Sequence, residues 1–182
     1  MNAATGTPER AVLITGVYGS GKSSVAAEVA HLLEKRGLPY GAIDLDWLGW
    51  FYPGDGDPSE HTREYSGAAA EVQLRNVVAV SGNYRSVGVR YFVLAGAIGS
   101  RTELDDLQRA VAVPMRVVRL EVPIREIERR LARDPTAGRA ADMRVAREWI
   151  EAKRGVGLED LTVDGDRPIR EVALEILSLL IA

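Results

Sequence analysis

The sequence predicts an α/β fold, a three-layer sandwich around a five-stranded parallel sheet, in one domain spanning residues 1–182. Three observations predict it. Short β-type runs alternate with amphipathic helical stretches along the chain. The first such run, residues 11–15, is almost wholly apolar, as suits a strand buried on both faces. Directly behind it comes Gly16-Val17-Tyr18-Gly19-Ser20-Gly21-Lys22-Ser23, a glycine-rich turn that opens into helical periodicity.

The elements follow in order. Val25, Val29, Leu32 and Leu33 recur at helical spacing, and Gly37 supplies a C-terminal stop. Tyr40–Asp44 is the second strand. Residues 47–67 hold Trp47, Trp50, Phe51, Tyr52 and two prolines, and read as loop or short irregular helix. Helical spacing resumes over 68–80 through Val72, Val77 and Val80. Tyr91–Ala95 is the third strand. Ser100 and Glu103 have capping-box spacing, opening a helix that carries Leu104 and Leu107. Residues 115–120 form the fourth strand. Pro123 starts a helix with Ile124, Ile127 and Leu131 at core spacing. Residues 139–154 form another, with Met143, Ala146, Trp149 and Ile150 as its apolar side. A short fifth strand covers 161–163. The last helix begins near Pro168 with Asp166 available as its cap, and is expected to bury Ile169, Val172, Ile176, Leu177 and Leu180.

Composition narrows the function classes. The chain is 46% hydrophobic and 27% charged, as a soluble globular domain is. A net charge of -3 provides no global field for nucleic acid or an anionic membrane, so neither is an expected partner. Without cysteine there are no disulfides, thiolate metal sites or cysteine nucleophiles. No apolar run approaches the roughly 20 residues of a membrane helix, and the polar start with the short apolar stretch 11–17, which glycines follow, is not expected to act as a signal peptide. A cytoplasmic protein, monomeric or homodimeric, is the expectation. Arginine clusters locally at Arg129, Arg130, Arg133 and Arg139, which fits either a small anionic ligand or a solvated helix face.

The G-x-x-x-x-G-K-S spacing of residues 16–23 is that of a P-loop (Walker A), placed between a buried strand and a helix. Gly16, Gly19 and Gly21 let backbone N–H groups of the loop, including those at Tyr18 and Ser20, turn inward as an anion nest. The helix N-terminus at Lys22, Ser23 and Ser24 adds its positive dipole. Lys22 reaches the β- and γ-phosphates of a nucleoside triphosphate, and Ser23 offers a hydroxyl to Mg²⁺. On these residues the chain resembles the P-loop kinases of small molecules and nucleotides, with the shikimate, gluconate and chloramphenicol kinases nearest in character. The resemblance spans about residues 11–180. It implies ATP as phosphoryl donor, Mg²⁺, a five-stranded parallel sheet and an arginine-bearing lid, here about 129–145, with the acceptor side at about 44–85.

Asp44-Leu45-Asp46 leaves the second strand at the edge where open α/β sheets bind ligands. Residues two apart in an extended segment face the same way, so both carboxylates can address one site. One accepts or orients a hydroxyl proton of the acceptor, and the other, with Asp46 as the candidate, holds Mg²⁺ through water. The competing reading is a solvated turn in which an Asp caps the next helix. In the resembling kinases an Asp at this point contacts acceptor and metal.

By the same resemblance Arg133 lies against adenine and Arg139 meets the phosphates, either side of a hinge at residues 135–138. A guanidinium there clamps the charge that phosphoryl transfer leaves on the equatorial oxygens. Arg129 and Arg130 suit a solvated helix face better. Asp164 and Arg167 border the loop that passes the adenine edge in such kinases, although an ordinary strand-to-helix turn explains them equally. The aromatic run from Trp47 to Tyr52 is either acceptor-pocket wall or core filler. Asn83, Tyr84, Arg85 and Arg101 are further candidate polar contacts.

The third strand has no acid at its end to act as the usual second metal-coordinating group, which puts more weight on Asp44 and Asp46. No N-K-x-D segment is present for guanine. The expected activity is transfer of the γ-phosphoryl of ATP to a hydroxyl of a small-molecule acceptor. The alternatives are a nucleoside or nucleotide kinase, and a non-catalytic ATP-binding regulatory module.

Overall fold

Residues 8–51, 67–133 and 139–182 are described by the structure, a computed structural model, with the side chains of 68 and 139–141 excepted. Strands β1 (Arg10–Thr15), β2 (Tyr40–Asp44), β3 (Tyr91–Ala95), β4 (Met115–Glu121) and β5 (Leu161–Asp164) form one sheet in the order β2-β3-β1-β4-β5. Every pairing is parallel. Helices α1 (Lys22–Lys35), α2 (Leu45–Leu48), α3 (Ala68–Ser86), α4 (Arg101–Val111), α5 (Ile124–Arg133), α6 (Arg139–Glu151) and α7 (Ile169–Ile181) connect them.

The period-two alternation of each strand divides the interior into two cores. Val12 and Ile14 of β1, Val93 of β3 and Val118 of β4 join Val29 and Leu33 of α1 and Ile176 and Leu177 of α7. Leu13, Phe92, Leu94 and Val117 point the other way, toward Val77 of α3 and Leu104, Leu107 and Val111 of α4. This is why the inner strands read as continuous apolar runs. Each fully buried aliphatic side chain contributes about 1.5–3 kcal/mol relative to exposure, so the two faces hold most of the driving force. The three-layer expectation is met.

Local signals worked at most boundaries. Ser100 caps α4 by accepting from Glu103 N–H at 3.3 Å, while Glu103 Oε2 accepts from Gly99 N–H at 2.9 Å. The reciprocal bond thus falls one residue before the cap. Four expectations fail. Ile124 and Ile169 lie in first turns and are exposed, and Ile150 faces away from the α6 contact side. Asp166 does not cap α7, whose N-cap position is Pro168 and which has no side-chain cap. Its backbone instead closes a turn, with its N–H donating to Asp164 Oδ1 at 2.9 Å. The 47–67 stretch begins in the last two residues of the single-turn helix α2, and residues 52–66, Tyr52 among them, lie outside the described residues.

Topology positions the site. From β1 the chain moves to β2 and β3 on one side, then to β4 and β5 on the other. The C-terminal end of β1 is therefore the switch point of the sheet, where open α/β folds have a ligand crevice.

Candidate active site

The loop 16–23 emerges at that switch point. Gly16 has φ 144°, and a Cβ there would lie 2.9 Å from both Leu120 O of β4 and Ser20 Oγ, so only glycine lets the loop pass so close to β4. Gly21 takes the left-handed conformation as the N-cap of α1. No side chain caps α1 and its first turn holds no acid, so its first amides and dipole stay available to an anion. Gly19 turns its α-carbon toward Ile127 and Leu131, which brings α5 down onto the loop. Ser20 is buried beneath the loop, its hydroxyl next to Gly16.

Lys22 is only 6% exposed, and its ammonium donates to Val17 O at 3.1 Å, 5.4 Å from the centre of the Tyr18 ring. Burial lowers its pKa below the ordinary value, opposed in turn by the charges of Asp46, Asp44 and Asp142. Ser23 and Asp44 meet directly: the Ser23 hydroxyl donates to Asp44 Oδ2 at 2.7 Å. Asp44 Oδ1 accepts from Asp46 N–H at 3.0 Å, so Asp44, not Asp46, is the carboxylate that caps the following helix. Asp46 is exposed in the first turn of that helix. Both acids act on Lys22 electrostatically, although Asp46 lies in the first turn of α2 and not in the extended segment that their spacing presupposed.

Arg133 ends α5 exposed to solvent, and Arg139 opens α6 with its side chain outside the described atoms. The hinge residues 135–138 also lie outside the described residues. Among the described side chains of the cluster, Arg130, which from sequence suited a solvated helix face, is the one drawn inward. Its Nη1 donates to Ser20 O and its Nη2 to Gly165 O, each at 3.2 Å, with Asp166 Oδ1 also at 3.2 Å. Glu126 accepts from Arg130 Nε at 2.8 Å and from Arg129 Nε and Nη2 at 2.6 Å each. Those hydrogen bonds, from Arg129 first and then Arg130, lower the Glu126 carboxyl to about 2.

A cavity of about 220 Å³ opens here, lined by Ser20, Gly21, Ser24, Val25, Arg130, Gly165, Arg167, Ile169 and Val172. It draws on the phosphate loop, α1, α5 and the β5–α7 turn, so amides, a guanidinium and apolar walls converge on it. Asp164 is exposed beside it, accepting from Asp166 N–H, and Arg167 donates to Glu175 at 2.7 Å. A depression of about 390 Å³ along Met143, Arg144, Arg147, Glu148 and Glu151 is formed by α6 alone and lacks such convergence.

Asp142 was not singled out from sequence. It is 2% exposed on α6, on the face that carries Ala146 and Trp149 one and two turns later. Ala146 packs in a cluster with Val17 and Tyr18, and the Trp149 ring meets Tyr18 edge-on at 6.4 Å. The α6 face therefore lies over the loop and brings a buried carboxylate within the field of Lys22. The signal was helical phase, since Asp142 precedes Ala146 by four residues.

Other candidates fall elsewhere. Tyr84 packs on Gly41, and Arg85 pairs with Glu9 at 3.0 Å and bonds Val111 O. These residues end α3, which runs 19 residues back toward the strand N-termini. That is the edge opposite the loop, and Asn83 is exposed there. Arg101 is exposed at the start of α4. No acid follows β3; instead Ile98 N–H donates to Thr15 Oγ1 at 3.2 Å. Among the described residues no helix is long and apolar enough to cross a membrane, and no three acids or histidines cluster closely enough to hold a metal by themselves.

No protein-family model and no curated protein matches the chain. Solved structures match its fold. An unliganded sugar kinase from Janibacter sp. HTCC2649 superposes with a TM-score of 0.66 at 18% identity, covering 94% of each chain. The APS kinase of Mycobacterium tuberculosis in complex with AMPPNP and APS gives 0.62 at 23%, covering 96% of this chain and 98% of that one. A gluconokinase from Sinorhizobium meliloti 1021 gives 0.58 at 22%, covering 94% and 90%. The fold is that of the P-loop small-molecule kinases.

Proposed function

We propose that this protein is a phosphotransferase that moves the γ-phosphoryl of ATP to a hydroxyl of a small-molecule acceptor. The observation that carries the reading is the 2.7 Å hydrogen bond between Ser23, on the phosphate loop, and Asp44, at the end of β2. It joins the donor side and the acceptor side of one crevice.

In this reading the amides of residues 16–23 and the Lys22 ammonium bind the β- and γ-phosphates. Arg130 and the cavity between Val25 and Ile169 hold the nucleoside end. Asp44 or Asp46 takes or orients the proton of the acceptor hydroxyl, aligning the oxygen for in-line attack on phosphorus. The bond from that oxygen to phosphorus forms as the β–γ bridge breaks, and ADP leaves with the bridging oxygen. Arg133 and Arg139 remain the candidates to meet the transferring group from the lid side.

The donor set fits Mg²⁺. Ser23 Oγ and the Asp44 and Asp46 carboxylates are hard oxygens on the accessible side of the loop. Mg²⁺ binds through one or two carboxylates plus substrate phosphates and water, so a three-acid cage is not required. When bound it neutralises charge on the phosphates.

An ADP-release assay tests the proposal across sugars, sugar acids, aromatic alcohols, nucleosides and nucleotides, beside Lys22→Ala and Asp44→Asn. Acceptor-dependent ADP that disappears with Lys22→Ala is the expected result. ATP binding with no ADP from any acceptor would favour a regulatory module, and preferred GTP binding would contradict the assignment of the donor.

A further inference from the structure

Two indoles stand out beside the carboxylates. Trp47 is 68% exposed and Trp50 64%, and the two rings stack at 5.0 Å between centroids with 26° between planes. Phe51 next to them is also exposed. Large aromatic side chains cluster at the surface chiefly where something else is to cover them.

The segment that presents them is firmly held from beneath. Leu45 is buried against Gly96, where a Cβ would come within 2.6 Å of its side chain. Gln73, itself buried, donates to Leu45 O at 2.6 Å, and Asn76 donates to Leu48 O at 2.8 Å. Asp44 caps the turn at its start. One side of α2 is thus secured to β3 and α3, and the Trp47 and Trp50 side chains remain on the solvent side. Their presentation is built into the fold rather than a consequence of a loose loop. Core filler, the other reading open in the sequence, is excluded by this exposure.

We propose that Trp47 and Trp50 form a stacking platform for a flat-ringed acceptor, an aromatic or heteroaromatic compound whose hydroxyl reaches Asp44 or Asp46. The inference rests on the phosphotransferase reading and names its substrate class. Position argues for acceptor over protein partner: Trp47 follows Asp46 directly, and Asp44 is bonded to the phosphate loop. Ring orientation argues for a flat partner over a caged cation. Near-parallel indoles extend a stack, whereas an ammonium cage needs rings turned toward a common centre.

Saturation-transfer NMR tests the platform separately from turnover. Tyrosol and cyclohexylmethanol are the probes, with AMPPNP and Mg²⁺ present to fill the nucleotide cavity. Tyrosol, with its flat ring, is expected to receive saturation from the wild-type protein, and the puckered cyclohexylmethanol much less. Trp47→Ala/Trp50→Ala abolishes the difference, while Trp47→Phe retains it. In the ADP-release assay, the double variant raises KM for ring-bearing acceptors by about tenfold or more with kcat little changed, the size expected for lost stacking. Ring binding without turnover of any acceptor sinks the phosphotransferase reading and leaves the platform standing. Turnover of sugars or alkylammonium alcohols with KM unaltered in the double variant overturns the platform and leaves the phosphotransferase. An unchanged thermal midpoint for the variant establishes that neither result reflects unfolding.

Discussion

Replacing Asp44 by asparagine and by alanine separates two jobs held by one carboxylate. Oδ1 caps α2 by accepting from Asp46 N–H at 3.0 Å, and Oδ2 accepts from the Ser23 hydroxyl at 2.7 Å. Asparagine caps about as well as aspartate, so Asp44→Asn is expected to change stability by roughly 0.5 kcal/mol or less. Alanine loses the cap, about 1 kcal/mol, and the hydrogen bond from Ser23, a further ~0.5–1.5 kcal/mol at a half-exposed site. That total corresponds to a drop of about 4–8 °C in melting temperature for a chain of this size. Both variants lack the carboxylate proposed, with Asp46 as its alternative, to take or orient the acceptor proton, a role for which about 100- to 10,000-fold of rate is at stake. Calorimetric melting beside single-turnover phosphoryl transfer reads the two effects independently. Asp44→Asn should melt like the wild type and transfer slowly. A variant that keeps transfer within about threefold, or whose loss of rate merely follows its melting temperature, would refute the role given to Asp44.

Other consequences follow from the same geometry. Arg130→Ala should weaken ATP binding by about tenfold or more, because the guanidinium bridges Ser20 O and Gly165 O across the nucleotide cavity, whereas Arg133→Ala should leave binding nearly intact; equal losses in a titration would contradict this. Glu126, held at about 2, keeps its stabilising pairing in full above its ordinary value of 4.5 and loses it as pH falls toward 2, so ATP affinity should show no step from this group between about pH 5 and 9. Lys22 is lowered by burial, so the ligand-free fold gains stability as pH rises from its folded pKa toward 10.5; phosphate raises that pKa, and calorimetry in two buffers across the alkaline range up to 10.5 should detect proton uptake on ATP binding, with release as the contrary result. Gly16→Ala places a Cβ 2.9 Å from Leu120 O at φ 144°, and should cost ~1–3 kcal/mol in denaturant melts together with nucleotide binding, whereas retained affinity would show that the loop tolerates the shift.

The strands and the phosphate loop were legible because they are local statements: unbroken apolar runs for β1 and β3, and glycines where only positive φ or close approach will serve. Tertiary contacts were harder to read. In α5, Ile127 and Leu131 mark the buried stripe, and Arg130 flanks it more closely than Arg133 does; helical phase alone therefore favoured Arg130 for an inward reach. The lid resemblance pointed to Arg133 instead. Asp142 was hidden for a related reason, since a carboxylate on an apolar helix face reads as a boundary until the partner opposite is known, here the Lys22 loop. Ile124 and Ile169 satisfy core periodicity but are the first residues of their helices and are exposed, so spacing overstates their burial. The tryptophans illustrate the limit in the other direction: composition left wall and filler equal, and only the anchoring of α2 through Leu45 and Gln73 decided that they face outward.

Phosphorus-31 NMR of ATP and Mg²⁺ with the protein and a panel of hydroxyl compounds addresses the central claim most directly. The account predicts a new phosphomonoester resonance that grows with ADP in equal amounts, depends on the acceptor, and vanishes with Lys22→Ala. ATP that stays intact with every acceptor, or that yields only inorganic phosphate at the same rate with and without one, would contradict it.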